Sequence, residues 1–224
     1  MVTKLLAALA AFVIAVISAT GYAGVFLLMG IESACIPLPS EIIMPLAGHL
    51  VARGEFTLWW SGFWGAAGCV VGSLVAYWVG ATGGRPLAER YGRYILVSRH
   101  DLDLADRLFA RWGDAIVFLA RLLPVVRTYI AFPAGVARMP LARFCIYSFL
   151  GSLPWCLGLA WVGQRASRGL GIADPREFTE AMQHTLGPYF HAADAGVGVV
   201  ILACGVWWVR RHLRSAVPGP PGRG

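Results

Sequence analysis

Residues 30–48 read Gly30-Ile-Glu32-Ser-Ala-Cys-Ile-Pro37-Leu-Pro39-Ser-Glu41-Ile-Ile-Met-Pro45-Leu-Ala-Gly48, an apolar segment with two carboxylates and three prolines. A second such segment reads Phe118-Leu-Ala-Arg121-Leu-Leu-Pro124-Val-Val-Arg127-Thr-Tyr-Ile-Ala-Phe-Pro133-Ala-Gly135, with two arginines and two prolines. An ionised group costs roughly 3 kcal/mol or more at the centre of a bilayer, so it usually faces a partner or a water-filled cavity. Irregular backbone at that depth persists only where protein or a cavity satisfies it. The two segments therefore predict a polar site buried between them.

The composition indicates an all-α integral membrane protein. Of the 224 residues, 58% are hydrophobic and 14% are charged, whereas soluble domains average about 25% charged residues. The length suits one membrane domain over residues 1–215 with about five or six membrane-entering segments of roughly 20 residues each. Residues 216–224, rich in proline and glycine, are expected to form a disordered tail.

The net charge of +7 fits a positive-inside bias, because the arginines cluster beside the apolar runs. No basic face with interleaved aromatic residues is present, which argues against a nucleic-acid partner. Counting the basic residues on each side favours a multi-pass protein of the inner (cytoplasmic) membrane with both termini in the cytoplasm. The five histidines and five cysteines lack the spacing of metal ligands, so neither a metal nor a cofactor is expected.

Four apolar runs are long enough to be predicted as spans or near-spans: residues 5–28, 58–79, 144–163 (with Pro154 as a kink) and 195–209. The first could also be read as a signal peptide, but it continues without a polar break, which favours a retained helix. Polar stretches at 83–112 and 164–192 are predicted to connect the spans, the first containing an amphipathic surface helix from Asp101.

Glycines within the 58–79 run have the spacing of a close helix contact, with Gly68 and Gly72 forming a GxxxG motif. We favour packing inside the helix bundle, and the motif leaves a homodimer open. Residues 80–84 are glycine-rich but lack the ending of a phosphate-binding loop.

The two charged segments are too short and too broken to be ordinary spans. We expect two oppositely oriented re-entrant helical hairpins, at about residues 32–52 and 114–137, an inverted-repeat arrangement that builds a midplane site in many transporters. The residues expected to shape these hairpins are Pro37, Pro39, Pro45, Pro124 and Pro133.

The charged side chains suggest chemistry for this site. Guanidinium groups bind phosphate in a bidentate manner, so Arg121 and Arg127 are predicted to hold the anionic headgroup of a lipid. Glu32 and Glu41 are predicted to pair with the arginines or to carry protons, because desolvation favours a protonated carboxyl and a nearby guanidinium favours an ionised one. Buried structural ion pairs without a transport role are the simpler alternative.

Several motifs together resemble one known family. They are Glu32…Pro37-Leu-Pro39-Ser40-Glu41…Ala47-Gly48; Gly65…Gly72…Tyr77…Gly80; Arg111-Trp-Gly113; Phe118-x-x-Arg121-x-x-Pro124-x-x-Arg127…Ala134-Gly135…Met139; and Phe144…Gly151…Trp155. Over about residues 24–163 the chain resembles the DedA family, also called the SNARE-associated or VTT-domain family. The resemblance implies the two-hairpin fold, with functional acids at Glu32 and Glu41 and functional arginines at Arg121 and Arg127.

For function, the resemblance implies a flippase of undecaprenyl phosphate, the carrier lipid of cell-envelope synthesis, driven by the proton gradient. The expected partners are the membrane and an anionic polyprenyl phosphate or phospholipid. Many members have an acid at the position of Ser73 and an arginine at that of Ala81, and both are missing here. This departure leaves the identity of the transported lipid open, with phosphatidylethanolamine as an alternative.

Three rival functions belong to other classes. A phosphatase acting on lipids would need a nucleophile and a base, but Ser40 has only His49 nearby in sequence, so we do not expect an enzyme. A proton-coupled exporter of small cations would use the acids alone, and arginines at its site argue against a cationic cargo. A structural partner protein without transport is the third.

Overall fold

The computed structural model describes residues 2–34, 38–95, 115–122, 127, 130–172, 174–179 and 181. All regular secondary structure in these residues is helical, in agreement with the predicted class. In chain order the helices are α1 (Val2–Thr20), α2 (Tyr22–Ser33), α3 (Ser40–Ala52), α4 (Leu58–Ile95), α5 (Ala115–Arg121), α6 (Ala131–Val136) and α7 (Leu141–Leu170). Residues 175–179 add a short helical turn.

Within the described residues, two helices are long and apolar enough to cross a membrane: Leu58–Gly83 of α4 and Leu141–Leu170, which is α7. Both present large apolar side chains on their outer faces. Trp78 on α4 is 56% exposed and Trp161 on α7 is 48% exposed. Contiguous apolar surface of this kind is rare on soluble monomers and suits contact with lipid.

The first apolar run forms two helices rather than the continuous one that its composition predicts. The break is at Gly21, whose φ of 62° is unfavourable for residues with a side chain. The amide of Gly21 donates to the carbonyl of Ile17, and α2 begins at the next residue. Composition could not reveal this break, because glycine is common inside membrane helices.

The predicted break in the first charged segment is confirmed, because α2 ends at Ser33 and α3 begins at Ser40. Pro39 occupies the N-cap of α3 in an extended conformation, and Pro45 lies inside the helix. With 13 residues, α3 is about 20 Å long at 1.5 Å per residue, which is short of the roughly 30 Å hydrocarbon core. Almost all of α3 is buried.

The second charged segment is also broken as predicted, with α5 ending at Arg121 and α6 beginning at Ala131. Pro133 lies in the first turn of α6, where a helix does not need the missing amide proton. Pro37 and Pro124 lie outside the described residues, so their role in shaping the hairpins stays a prediction.

Helices α4 and α7 both continue beyond the predicted spans. Helix α4 runs on to Ile95, through the glycine-rich residues 80–84, which are therefore helical and not a phosphate loop. Helix α7 contains Pro154 and extends to Leu170, into the stretch predicted as a polar loop. The predicted surface helix from Asp101, the 195–209 span and the 216–224 tail lie outside the described residues.

Glycines let the helices pack at short range. A Cβ added to Gly68 or Gly72 would collide with the backbone of Phe26 or Gly30 on α2, respectively. The GxxxG motif therefore packs inside the bundle, as favoured from the sequence, and α2 covers its surface. Helices α3 and α7 approach in the same way, since a Cβ on Gly163 would collide with the backbone of Pro45.

We predict that Gly163→Ala destabilises the protein, because the added methyl would meet the Pro45 backbone, which cannot move without shifting α3. Overpacking of this kind costs about 1–3 kcal/mol. Gly158→Ala in the same helix is the matched control, since a Cβ there meets nothing within 4 Å. Thermal unfolding in detergent should show a lower midpoint for Gly163→Ala only. Equal midpoints for the two variants would contradict the close contact between α3 and α7.

Candidate functional site

Arg121 is the last residue of α5 and one of the most buried large side chains in the described part of the chain, with 1% exposure. Gly151 on α7 makes room for it. A Cβ at Gly151 would lie 2.6 Å from the Cβ of Arg121 and 2.9 Å from the carbonyl oxygen of Phe118. The guanidinium is thus held inside the bundle by close backbone packing between α5 and α7.

Arg127 lies between α5 and α6 in the chain, and its side chain reaches α2. Its Nη2 donates to Oε2 of Glu32 over 2.7 Å, joining residues 95 positions apart in sequence. Arg127 is 3% exposed and Glu32 8%. The guanidinium carbon also lies 5.3 Å from the ring centroid of Trp155 on α7, a cation–π contact. The sequence left the partners of the acids open, and this geometry pairs Glu32 with Arg127.

Arg121 has a different partner. Its Nη2 donates to Oγ of Ser73 on α4 over 2.5 Å. The Ser73 hydroxyl in turn donates to the carbonyl oxygen of Cys69 over 2.6 Å. Because a hydroxyl has a single proton, Ser73 can meet Arg121 only as an acceptor. The Arg121 contact is therefore a hydrogen bond to a neutral group and not an ion pair.

The charges at the site do not cancel. Among the described residues, Glu32 is the one carboxylate within ion-pair distance of either guanidinium. Three buried donors have no hydrogen-bond partner there: Nε of Arg121, Nη1 of Arg127 and Nε1 of Trp155. Unpaired buried donors are rare and costly, so they suggest a group that binds there. An anion with several oxygen acceptors matches both the charge and the donors.

Glu41 lies at the margin of the site formed by Arg121, Arg127 and Glu32. It is in the first turn of α3 and is half-buried, and no ion pair of its carboxylate is formed with the described residues. Its charge still acts on Glu32 and Arg127. Three of the four predicted charged residues are thus brought together, and Glu41 stands beside them.

Sequence reasoning gave no site role to Ser73 or Trp155. Trp155 belongs to one of the family motifs, and Ser73 stands where many members have an acid, but neither signal shows which side chain the residue contacts. It also missed a second polar contact, in which Nδ1 of His49 lies 2.9 Å from Oγ of Ser167. That pair is sealed under Phe178, whose ring stacks on the imidazole at 4.6 Å between centroids.

We predict that Glu32→Ala lowers stability far more than Glu41→Ala. Removing Glu32 leaves the buried Arg127 charge unpaired, and breaking a buried ion pair costs about 3–5 kcal/mol. Glu41 is half-buried and outside any ion pair in the described residues, so its loss should stay within about 1 kcal/mol. Thermal unfolding of both variants in the same detergent measures the difference. Similar losses would mean that the Glu32–Arg127 contact does not hold the bundle together.

Comparison with known proteins places this geometry in context. The VTT domain matches residues 38–165, which include most of the site. Undecaprenyl phosphate transporter A of Bacillus subtilis is 36% identical over 143 residues, covering 64% of this chain and 70% of the relative. Undecaprenyl phosphate transporter A of Staphylococcus aureus is 30% identical over 160 residues, covering 70% of this chain and 79% of the relative.

A third relative carries another name. The "alkaline phosphatase-like protein" of Lactococcus lactis subsp. cremoris is 32% identical over 206 residues, covering 90% of this chain and 92% of the relative. No solved structure matches the chain. The domain match spans more than half of the 224 residues, and two of these relatives are named as transporters of undecaprenyl phosphate. The chain is therefore a helical membrane protein that belongs to the VTT-domain (DedA) family.

Proposed function

We propose that this protein is a lipid translocase that returns undecaprenyl phosphate from the outer to the inner face of the cytoplasmic membrane. The observation that carries the proposal is the charge at the buried site: among the described residues one carboxylate, Glu32, forms an ion pair with Arg127, and none forms one with Arg121. A net positive cluster with unused donors matches a phosphate headgroup. Two relatives named undecaprenyl phosphate transporter A support the choice of lipid.

In this proposal the phosphate bridges the two arginines. Nε of Arg121 and Nη1 of Arg127 are the buried donors available to it, with Nε1 of Trp155 beside them. The polyprenyl chain stays in the bilayer, against the apolar outer faces of α4 and α7. The short buried α3 and the pair α5 and α6 would be the inner arms of two re-entrant hairpins, so that the site is reached from either leaflet in turn.

In this proposal, proton coupling acts through the ion pair. A proton on the Glu32 carboxylate would remove its charge and release Arg127 Nη2 for the phosphate, so proton and phosphate would bind together. Glu41, a half-buried carboxylate whose charge acts on both groups, would pass the proton from the outside. Inward proton flow would then drive inward movement of the anionic lipid.

The rival functions fit the site less well. A small cation would be repelled by the positive cluster, which argues against the exporter. A phosphatase needs an accessible nucleophile, and the buried Ser167–His49 contact is covered by Phe178. A zwitterionic phospholipid such as phosphatidylethanolamine is the remaining alternative. A homodimer would need a face other than the GxxxG motif, which α2 covers.

The first test is transport by purified protein in liposomes that carry undecaprenyl phosphate in one leaflet. We expect wild-type protein to equilibrate the headgroup between leaflets and Arg121→Ala to slow this roughly 10- to 100-fold, because hydrogen bonds to charged groups contribute about 1.5–3 kcal/mol. Arg127→Lys should keep part of the rate and Arg127→Ala little of it, because lysine retains charge without the bidentate fork.

Arg53→Ala is the matched control, since Arg53 is an exposed arginine of the turn after α3 that contacts Glu55. It should transport like wild type. Mass measurement of the recovered lipid should find the phosphate intact, and its loss would point to a hydrolase instead. Equal rates for wild type, Arg121→Ala and Arg127→Ala would rule out the phosphate site.

A second prediction concerns the driving force. An inside-alkaline proton gradient should speed inward transport by wild-type protein, because protonation of Glu32 from outside releases Arg127. Glu41→Gln should retain exchange without a gradient but lose most of the acceleration, since it removes the outer proton acceptor. The measurement is the ratio of rates with and without the gradient. An unchanged ratio in Glu41→Gln would exclude Glu41 from the proton path.

A further inference from the structure

Ser73 is fully buried on α4, and its hydrogen bonds settle how it meets Arg121. Its only proton is donated to the Cys69 carbonyl oxygen, 2.6 Å away, so a lone pair faces Nη2 of Arg121 at 2.5 Å. The residue orients the guanidinium as a carboxylate would, but it adds no negative charge. Arg121 therefore keeps its full charge inside the bundle.

This neutral contact decides the charge of the whole cluster. The carboxylate of Glu32 balances one guanidinium, Arg127, and the charges of all three groups act on one another. In the described residues no carboxylate lies within ion-pair distance of Arg121. Arg121, Arg127 and Glu32 together therefore carry one positive charge in excess, and Glu41 acts on Glu32 and Arg127 only from beyond ion-pair distance. Far from water, this excess charge interacts strongly with a bound headgroup, because the effective dielectric constant is low.

We propose that Ser73 is a specificity-determining residue that restricts the cargo to lipids with a net negative headgroup, phosphate monoesters above all, and rejects zwitterionic phospholipids. A phosphate monoester supplies the missing negative charge. The headgroup of phosphatidylethanolamine brings its own ammonium group and so leaves the excess charge uncompensated. The proposal rests on the proposed function for its site, but it concerns binding selectivity and can be measured without transport.

The test compares Ser73→Asp with Ser73→Asn. Both carry an oxygen acceptor of similar size near Arg121, and only aspartate adds a negative charge. Purified protein in maltoside micelles is titrated with dodecyl phosphate or with zwitterionic dodecylphosphocholine, and binding is followed as the shift in thermal midpoint. We expect wild type and Ser73→Asn to prefer dodecyl phosphate, and Ser73→Asp to bind it at least about tenfold more weakly and lose the preference.

Binding of dodecyl phosphate by Ser73→Asp as tight as by wild type would overturn the proposal, and so would equal binding of both amphiphiles by wild type. Loss of the preference in Ser73→Asn as well would show that charge is not the determinant. If Ser73→Asp does not fold, Glu32→Gln supplies the opposite change in charge and should bind dodecyl phosphate more tightly. Weaker or equal binding there would contradict the proposal.

The same variants in liposomes separate this inference from the proposed function. Selective binding that depends on Ser73, without movement of undecaprenyl phosphate by wild type, would leave the selectivity standing and reject the translocase. If wild type moves undecaprenyl phosphate and Ser73→Asp moves it at the same rate, the translocase stands and the selectivity role of Ser73 is rejected. With both proposals correct, Ser73→Asp should lose undecaprenyl phosphate transport and gain transport of phosphatidylethanolamine.

Discussion

The ion pair between Arg127 and Glu32 joins the two charged segments of the chain, and the arrangement of the site depends on it. Arg127 lies between α5 and α6 in the chain, and its guanidinium meets the carboxylate of Glu32 on α2. Such a buried pair contributes little net stability compared with apolar packing, yet breaking it is expensive. Its presence in an apolar bundle is therefore better explained by function than by folding.

Close packing of backbones makes room for these charges without exposing them. Gly151 lets α5 bring Arg121 against α7, while Gly68 and Gly72 let α4 approach α2. Helix α4 can then present Ser73 to Arg121, and α2 can present Glu32 to Arg127. Association of helices in lipid gains little from the hydrophobic effect. Small residues let the backbones approach closely, and this close packing supplies the dispersion energy.

The polar site has the positive charge and the hydrogen-bond donors that are typical of a binding site for an anion. A carboxylate orients one of its two guanidinium groups and a hydroxyl orients the other. Among the described residues, this difference leaves excess positive charge and buried donors without partners. In the proposed function, an anionic headgroup would accept from these donors and balance the charge.

The sequence by itself determined the helical membrane class, the breaks before α3 and after α5, and the identity of the charged residues, because apolarity, proline and charge are properties of single residues and short segments. It could not tell that Gly21 divides the first apolar run or that α4 and α7 continue into polar stretches, since glycine and polar residues are both compatible with helix there. Only the tertiary structure decided that Glu32 meets Arg127 and that Ser73 meets Arg121. Those partners lie 95 and 48 positions apart, and such distances are set by how the helices pack and not by any local pattern.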